Sequence, residues 1–332
     1  ARTAASDGPH GGPYRFNFMR FRELGVALVV VLLFVVAAAK DRRFIEPDIL
    51  RKILLYIPLI VVVAMGQMMV IVSRNIDLSV GSVLAFAAIV VGFFLKAHPD
   101  FPLSVAALFA ILIGGGLGLV NGLLVAFLRV PAIIATLGTL SAYRGLVFIY
   151  SKGDQVDPNF IPERLIRLSQ YPTAIPWIVI FAAILAIVAY LFLKYARLGR
   201  EIFAIGSNPT AAILRGIPVK RNLTIIFAIA GALSGLAGLM YASRFGFINP
   251  SKTGDGFELI VISAVVIGGT SVFGGSGSVL GTVLGCVLIG AVNIGLSLME
   301  HSAFYQLAIY GGAILIAAMI DRAIQRLSAG AT

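Results

Sequence analysis

Residues Ala174 to Ala196 read AIPWIVIFAAILAIVAYLFLKYA, with Lys194 the only charge in the run. About 20 consecutive apolar residues suffice for a helix to cross the ~30 Å hydrocarbon core of a bilayer, and this run is that long. A second run, Leu223 to Ala242, is long enough as well. Between them lies a polar loop, Arg197 to Asn222, with a complete set of short-helix signals. Asn208 is a good N-cap, and Pro209 suits the first helical position, where its missing N–H costs nothing. Arg215 falls in the last turn, where a cation complements the helix dipole, and Gly216 can take the left-handed position that ends a helix. A helix of about two turns is unstable alone in water, so this one either rests on the membrane or packs against something else.

The rest of the chain extends this pattern. Of 332 residues, 59% are hydrophobic and 12% charged, with a mean hydropathy of +0.98. Soluble domains carry roughly 25% charged residues, so the chain is an all-α polytopic membrane protein. Its continuous apolar runs exclude a β-barrel, whose strands would alternate apolar and polar residues. Ten spans are expected, at roughly 24–39, 53–73, 79–96, 104–128, 132–150, 174–196, 223–242, 257–273, 278–298 and 304–320. Residues 1–22 and 323–332 read as tails around a membrane domain of 23–322 that carries the polar loop 197–222. The first apolar run lacks a small-residue cleavage pattern and reads as an uncleaved helix. Gly114-Gly115-Gly116 is expected to interrupt the fourth span.

Both tails are expected in the cytoplasm. Lys and Arg then divide 14 inside to 12 outside, or 14 to 9 without Lys152, Arg164 and Arg167 of the long exposed segment Ser151 to Thr173. The net charge of +11 does not signal nucleic acid, because the basic residues are scattered over short loops and helix ends. The lone Cys286 reads as a small packing residue. Gly114, Gly118 and Gly122 in span four match Gly277, Gly281 and Gly285 in span nine, each ladder near an amide, Asn121 or Asn293. This points either to a repeat of spans two to five in seven to ten, or to two ordinary packing stripes.

Enzymatic signatures are missing. There is no phosphate-binding loop with its lysine, and Gly274-Gly275-Ser276-Gly277 reads as a tight turn between helices. His10, His98 and His301 lie far apart, so metal binding by them is not expected. Polar groups near the membrane are more informative, because each is expensive unless paired or wet. Asn75, Asp77 and Ser79 lie between spans two and three, where Asp77 either caps the third span or lines a polar route. Thr136, Thr139 and Arg144 in span five either face a hydrated path or bond locally. Asn121, Asn293 and Gln306 either meet sugar hydroxyls or tie helices together. The turn Asn249 to Gly256, with Lys252, Asp255 and nearby Glu258, is either a plain turn with a helix-start carboxylate or a docking surface.

Several of these stretches together resemble the permease subunits of bacterial ABC importers for ribose and related monosaccharides. They are Ile76-Asp77-Leu78-Ser79-Val80-Gly81-Ser82, Ala196-Arg197-Leu198-Gly199-Arg200, Ala204 to Pro209, and Ala264 to Ser271 with Gly274-Gly275. The family often has threonine in place of Ala196. The resemblance covers nearly the whole chain after the first 20 residues or so. It implies a multi-pass protein of the bacterial inner membrane that holds no cofactor, while a separate ATP-binding subunit carries ATP and Mg. It also implies an extracytoplasmic sugar-binding protein and a second permease subunit, identical or different. Gly199, Arg200 and Glu201 would begin a coupling loop that continues through Gly206. Asn208 to Gly216 would be the helix docked on the ATPase, with Ala211, Ala212, Ile213 and Leu214 as its contact surface and Arg215 in a rim ion pair. Alternatives are a similar permease for branched-chain amino acids or nucleosides, or a self-sufficient secondary transporter using Arg144.

Overall fold

The structure is a computed structural model and describes residues 18–170, 175–298 and 303–329. Within them the chain forms thirteen α-helices: α1 (Phe18–Lys40), α2 (Pro47–Val72), α3 (Val80–Ala97), α4 (Leu103–Ala126), α5 (Ala132–Ser151), α6 (Glu163–Gln170), α7 (Trp177–Tyr195), α8 (Arg197–Ser207), α9 (Pro209–Leu214), α10 (Val219–Phe245), α11 (Phe257–Ile267), α12 (Val279–Leu298) and α13 (Ala303–Ala329). Eight helices, α1 to α5, α7, α10 and α12, are long and apolar enough to cross a membrane. The expected eighth span is shorter: α11 stops at Ile267, and the chain turns through 268–278 before α12. Gly269, Gly274 and Gly275 have positive φ there, which ends the helix early. His10, His301 and the outermost tail residues lie outside the described residues.

Helix α4 is unbroken, so Gly114-Gly115-Gly116 does not interrupt it. A Cβ at Gly114 would overlap the Gly231 carbonyl, one at Gly118 the Phe227 carbonyl, and one at Gly122 would fall 2.7 Å from the Thr224 Cα. Contacts move down α10 as they move up α4, so the two helices are antiparallel and touch backbone to backbone. Lipid tails are as apolar as leucine, so helices in a bilayer gain little from burying apolar surface and much from close van der Waals contact.

Helices α2 and α10 pack against each other at the centre, with Gly66 against Ala230. Around them the pairings come in duplicate. α4 packs on α10 and α12 on α2; α3 packs on α10 and α11 on α2; α5 packs on α3 and α13 on α11. This is the pattern expected if α2–α5 recur as α10–α13 about a pseudo-two-fold axis. The two glycine ladders nevertheless serve different neighbours: Gly281 and Gly285 of α12 press on Gly268 and Ala264 of α11, not on α2.

The segment between α5 and α7 lies over the end of α10. Val156 and Ile248 exchange backbone hydrogen bonds of 2.9 and 3.0 Å. In α6, Leu165 and Ser169 are buried, and the Ser243 hydroxyl donates to the Leu165 carbonyl at 2.7 Å.

Gly118→Leu is expected to cost at least about 1–3 kcal/mol through overpacking. Gly116→Leu in the same helix should be tolerated, because nothing lies within 4 Å of a Cβ there. Thermal unfolding in detergent checks this; equal melting temperatures for the two variants would remove the backbone seam.

Candidate functional site

The polar segment after α7 folds into two helices, of which only the second was expected. Leu198, Ile202 and Ile205 recur at i, i+4 and i+7, an amphipathic helical signal, and they form the inward face of α8. Gly199 sits against the Phe192 carbonyl of α7. Glu201 accepts from Arg197 Nε and from Asn222 Nδ2, both at 2.7 Å, which ties α8 to the start of α10. The Arg197 guanidinium, and then the Asn222 amide, hold its carboxyl below the usual glutamate range. Arg200 is exposed and donates to the Tyr195 carbonyl at 2.7 Å.

The far end of α8 is locked into the bundle. A Cβ at Gly206 would overlap the Val72 carbonyl at the end of α2. The same carbonyl accepts from Gly275 N at 2.8 Å, and Arg74 Nη2 donates to the Ser207 carbonyl at 2.9 Å. One knot thus joins the ends of α2 and α8 to the turn before α12. A hollow of about 580 Å³ opens beside it, lined by Arg74, Ser207 and residues 272–276.

Beyond the knot, α9 forms as its capping residues dictate. Asn208 Oδ1 accepts from Ala211 N at 3.0 Å, Pro209 occupies the first turn, and Gly216 has φ of +74°. One expectation fails here. Ala212 is 2% exposed and faces the protein, so it is not part of an outward contact surface. Gly199 and Gly206 are also buried and serve packing. The outward residues are Ile213, 61% exposed, and Leu214, 83% exposed, next to exposed Arg215. Which face of a six-residue helix turns outward depends on its neighbours, which sequence periodicity does not contain.

The polar residues of spans two to five converge on a second site. The chain from Ser73 to Ser79 turns back into the bundle. There Asp77 Oδ1 accepts from Ser79 N at 2.8 Å and from Ser79 Oγ at 2.7 Å. Asp77 therefore secures the turn before α3 and bonds no N–H within the helix. Asn121 Nδ2 donates to Ser79 Oγ at 2.7 Å, and Tyr143 OH donates to the Leu117 carbonyl at 2.9 Å, with Asn121 Oδ1 3.3 Å away. Thr136 Oγ1 bonds the Ala132 carbonyl at 2.8 Å and lies 3.2 Å from the Ile76 carbonyl, and Thr139 Oγ1 bonds the Thr136 carbonyl. Asn75 bonds the Ser73 carbonyl. Asp77, Ser79, Asn121, Thr136 and Thr139 are all buried, and Asp77, Ser79 and Asn121 form one polar junction.

Asn293 lies elsewhere, on α12. It donates to Tyr310 OH at 2.8 Å, with Gln306 Oε1 3.3 Å away. It mirrors Asn121 within the repeat, since each stands five residues before its helix ends and each meets a tyrosine of the following helix.

The starts of α3 and α11 meet inside the bundle. A Cβ at Gly81 would overlap the Gly254 carbonyl and lie 2.5 Å from Glu258 Oε2. Glu258 is thus half-buried against α3 and does not share the outer turn with exposed Lys252 and Asp255. Arg144 Nη1 donates to the Thr253 carbonyl at 2.8 Å and holds this turn from α5. Sequence reading missed two groups. Among the described residues, the Gln67 amide and the Ser82 hydroxyl are buried without a hydrogen-bond partner. Such orphans are rare.

The meeting starts of α3 and α11, two pseudo-symmetric halves and a helical appendage knotted to the bundle define a transporter-type membrane subunit. The chain belongs to the family described as the branched-chain amino acid transport system permease component, which matches residues 49–319. It is 33% identical to the D-allose transport system permease protein of Escherichia coli K12, over 94% of this chain and 95% of that one. It is 36% identical to the autoinducer 2 import system permease protein of Escherichia coli O9:H4, covering 90% and 86% of the two chains. The corresponding protein of Yersinia enterocolitica is 35% identical, covering 92% and 84%. No solved structure matches.

Asn121→Ala removes the buried amide that donates to the Ser79 hydroxyl, while Ser79 keeps Asp77 and Tyr143 keeps the Leu117 carbonyl, and about 0.5–1.5 kcal/mol of stability should be lost. Asn293→Ala, in a half-buried cluster, should cost clearly less. Melting temperatures of the two variants in detergent decide the point; an equal or reversed order would discount the junction.

Proposed function

We propose that this chain is the membrane permease subunit of an ATP-driven importer for a monosaccharide, oriented with α8 and α9 in the cytoplasm. The observation that carries this reading is the tip of α9. Ile213 and Leu214 expose large apolar surface beside exposed Arg215, in a segment that also carries exposed Lys220 and Arg221. A soluble partner with an apolar groove would bury them, with Arg215 at the rim. That partner is a separate ATPase subunit, which holds ATP and Mg.

The knot supplies the lever. Displacement of α9 passes through α8 to Val72 and Arg74 by the contacts at Gly206 and Ser207. From there seven residues, 73–79, lead to the Asp77–Ser79–Asn121 junction at the start of α3. Closing and opening of the ATPase would thereby shift the junction, and the starts of α3 and α11 beyond it, between outward- and inward-facing arrangements. Substrate would pass near Gly81, Ser82 and Gln67, in a path shared with a second permease subunit, identical or different. An extracytoplasmic binding protein would release sugar at the turn carrying Lys252 and Asp255.

The sugar reading is supported by the D-allose relative, which matches along nearly the full length of both chains. The family description favours a second reading, a branched-chain amino acid permease. Liposomes containing the chain with its ATPase and binding protein should take up a monosaccharide only with ATP inside, and leucine uptake under these conditions would favour the second reading. Uptake driven by an ion gradient without the ATPase would overturn both. Ile213→Asp with Leu214→Asp should reduce co-purification of the ATPase by roughly tenfold or more, as expected for losing a buried apolar anchor. The melting temperature should not change. Undiminished association would remove α9 as the contact.

A further inference from the structure

A second cleft, of about 380 Å³, opens at the same end of the molecule between α1, α2, α7, α8 and α12. Its walls are apolar, formed by Met68, Leu193, Phe203 and Leu280, and its rim carries two charges, Glu23 and Lys194. These charges form no ion pair with each other or with any other described residue. Glu23 accepts a short hydrogen bond from the Ser278 hydroxyl. Lys194 Nζ donates to Tyr190 OH at 3.1 Å and lies 5.3 and 5.2 Å from the ring centroids of Tyr190 and Tyr195.

The cleft lies where apolar helices give way to polar loops. Lys194 is in the last turn of α7, Val279 begins α12, and Glu23 is near the start of α1. Tyrosines at such a boundary sit at headgroup level. An apolar slot with one negative and one positive group on its rim fits a lipid whose headgroup carries both charges.

We propose that this cleft binds a zwitterionic phospholipid with a primary amine, its phosphate at Lys194, its ammonium at Glu23 and an acyl chain along the apolar wall. An anionic lipid would satisfy Lys194 and face repulsion from Glu23. A choline headgroup has no N–H to offer the carboxylate, whereas a primary ammonium has three. Phe203 belongs to α8, so a bound lipid braces the helix that joins the α9 tip to the bundle. That regulatory consequence rests on the proposed function; the binding itself does not.

The test uses the full chain, purified and exchanged into nanodiscs of phosphatidylethanolamine, phosphatidylcholine or phosphatidylglycerol, with retained lipid counted by native mass spectrometry. One tightly held phosphatidylethanolamine is expected, and phosphatidylcholine should not displace it. Glu23→Gln and Lys194→Met should each weaken retention by roughly tenfold or more, as expected for losing a hydrogen bond to a charged group. Successive N-methylation of the lipid amine should weaken retention stepwise on the unaltered protein, an arm that does not depend on either variant folding. Equal retention of all three lipids would overturn the proposal. So would phosphatidylglycerol binding that depends on Lys194 and not on Glu23.

Discussion

Backbone contact between α4 and α10 is the constraint on which the architecture depends. In a bilayer the hydrophobic effect places helices in the membrane and then contributes little to bringing them together. Gly114, Gly118 and Gly122 let two backbones meet without intervening side chains, and Gly231 and Gly235 answer from the facing helix. Many weak dispersion contacts accumulate along such a seam, and losing the fit at one point loses several of them. With α10 held this way and α2 packed on its other side, the duplicated pairings place α3 and α11 so that their first turns meet within the bundle.

That meeting point concentrates polar chemistry. A helix start leaves several backbone N–H groups without partners inside its own helix, and lipid supplies none. Neither start has a side-chain cap within its helix: Asp77 secures the turn before α3 through Ser79, and Arg144 holds the turn before α11 by its Thr253 carbonyl. The buried Gln67 amide and Ser82 hydroxyl nevertheless lack hydrogen-bond partners among the described residues. A rigid seam beside an incompletely satisfied polar centre suits a subunit that must hold its fold while one region rearranges.

The knot at Val72 gives that rearrangement a route to the outside. A backbone hydrogen bond joins the end of α2 to the Gly274-Gly275 turn, and the Arg74 side chain and the close contact at Gly206 join the end of α8 to α2, so a shift of α8 loads α2. The chain belongs to a permease family, and in the proposed function this knot is the route by which a contact at α9 reaches the bundle.

Local chemistry was legible in the sequence to the extent that it is local. Apolar runs fixed which segments cross the bilayer, and Asn208, Pro209 and Gly216 fixed where α9 begins and ends, because caps act within a few residues. Span eight was overestimated, because apolar residues beyond Ile267 pack in a turn that hydropathy cannot distinguish from helix. Only the tertiary structure decided that Ala212 points inward while Ile213 and Leu214 point out, that Glu258 faces α3, and that Asp77, Ser79, Asn121 and Tyr143 form one network. Each of these depends on which distant segment lies alongside. Sequence determined the helices and their caps through short-range energetics; their facing surfaces and shared polar contacts were settled by long-range packing, which no local window contains.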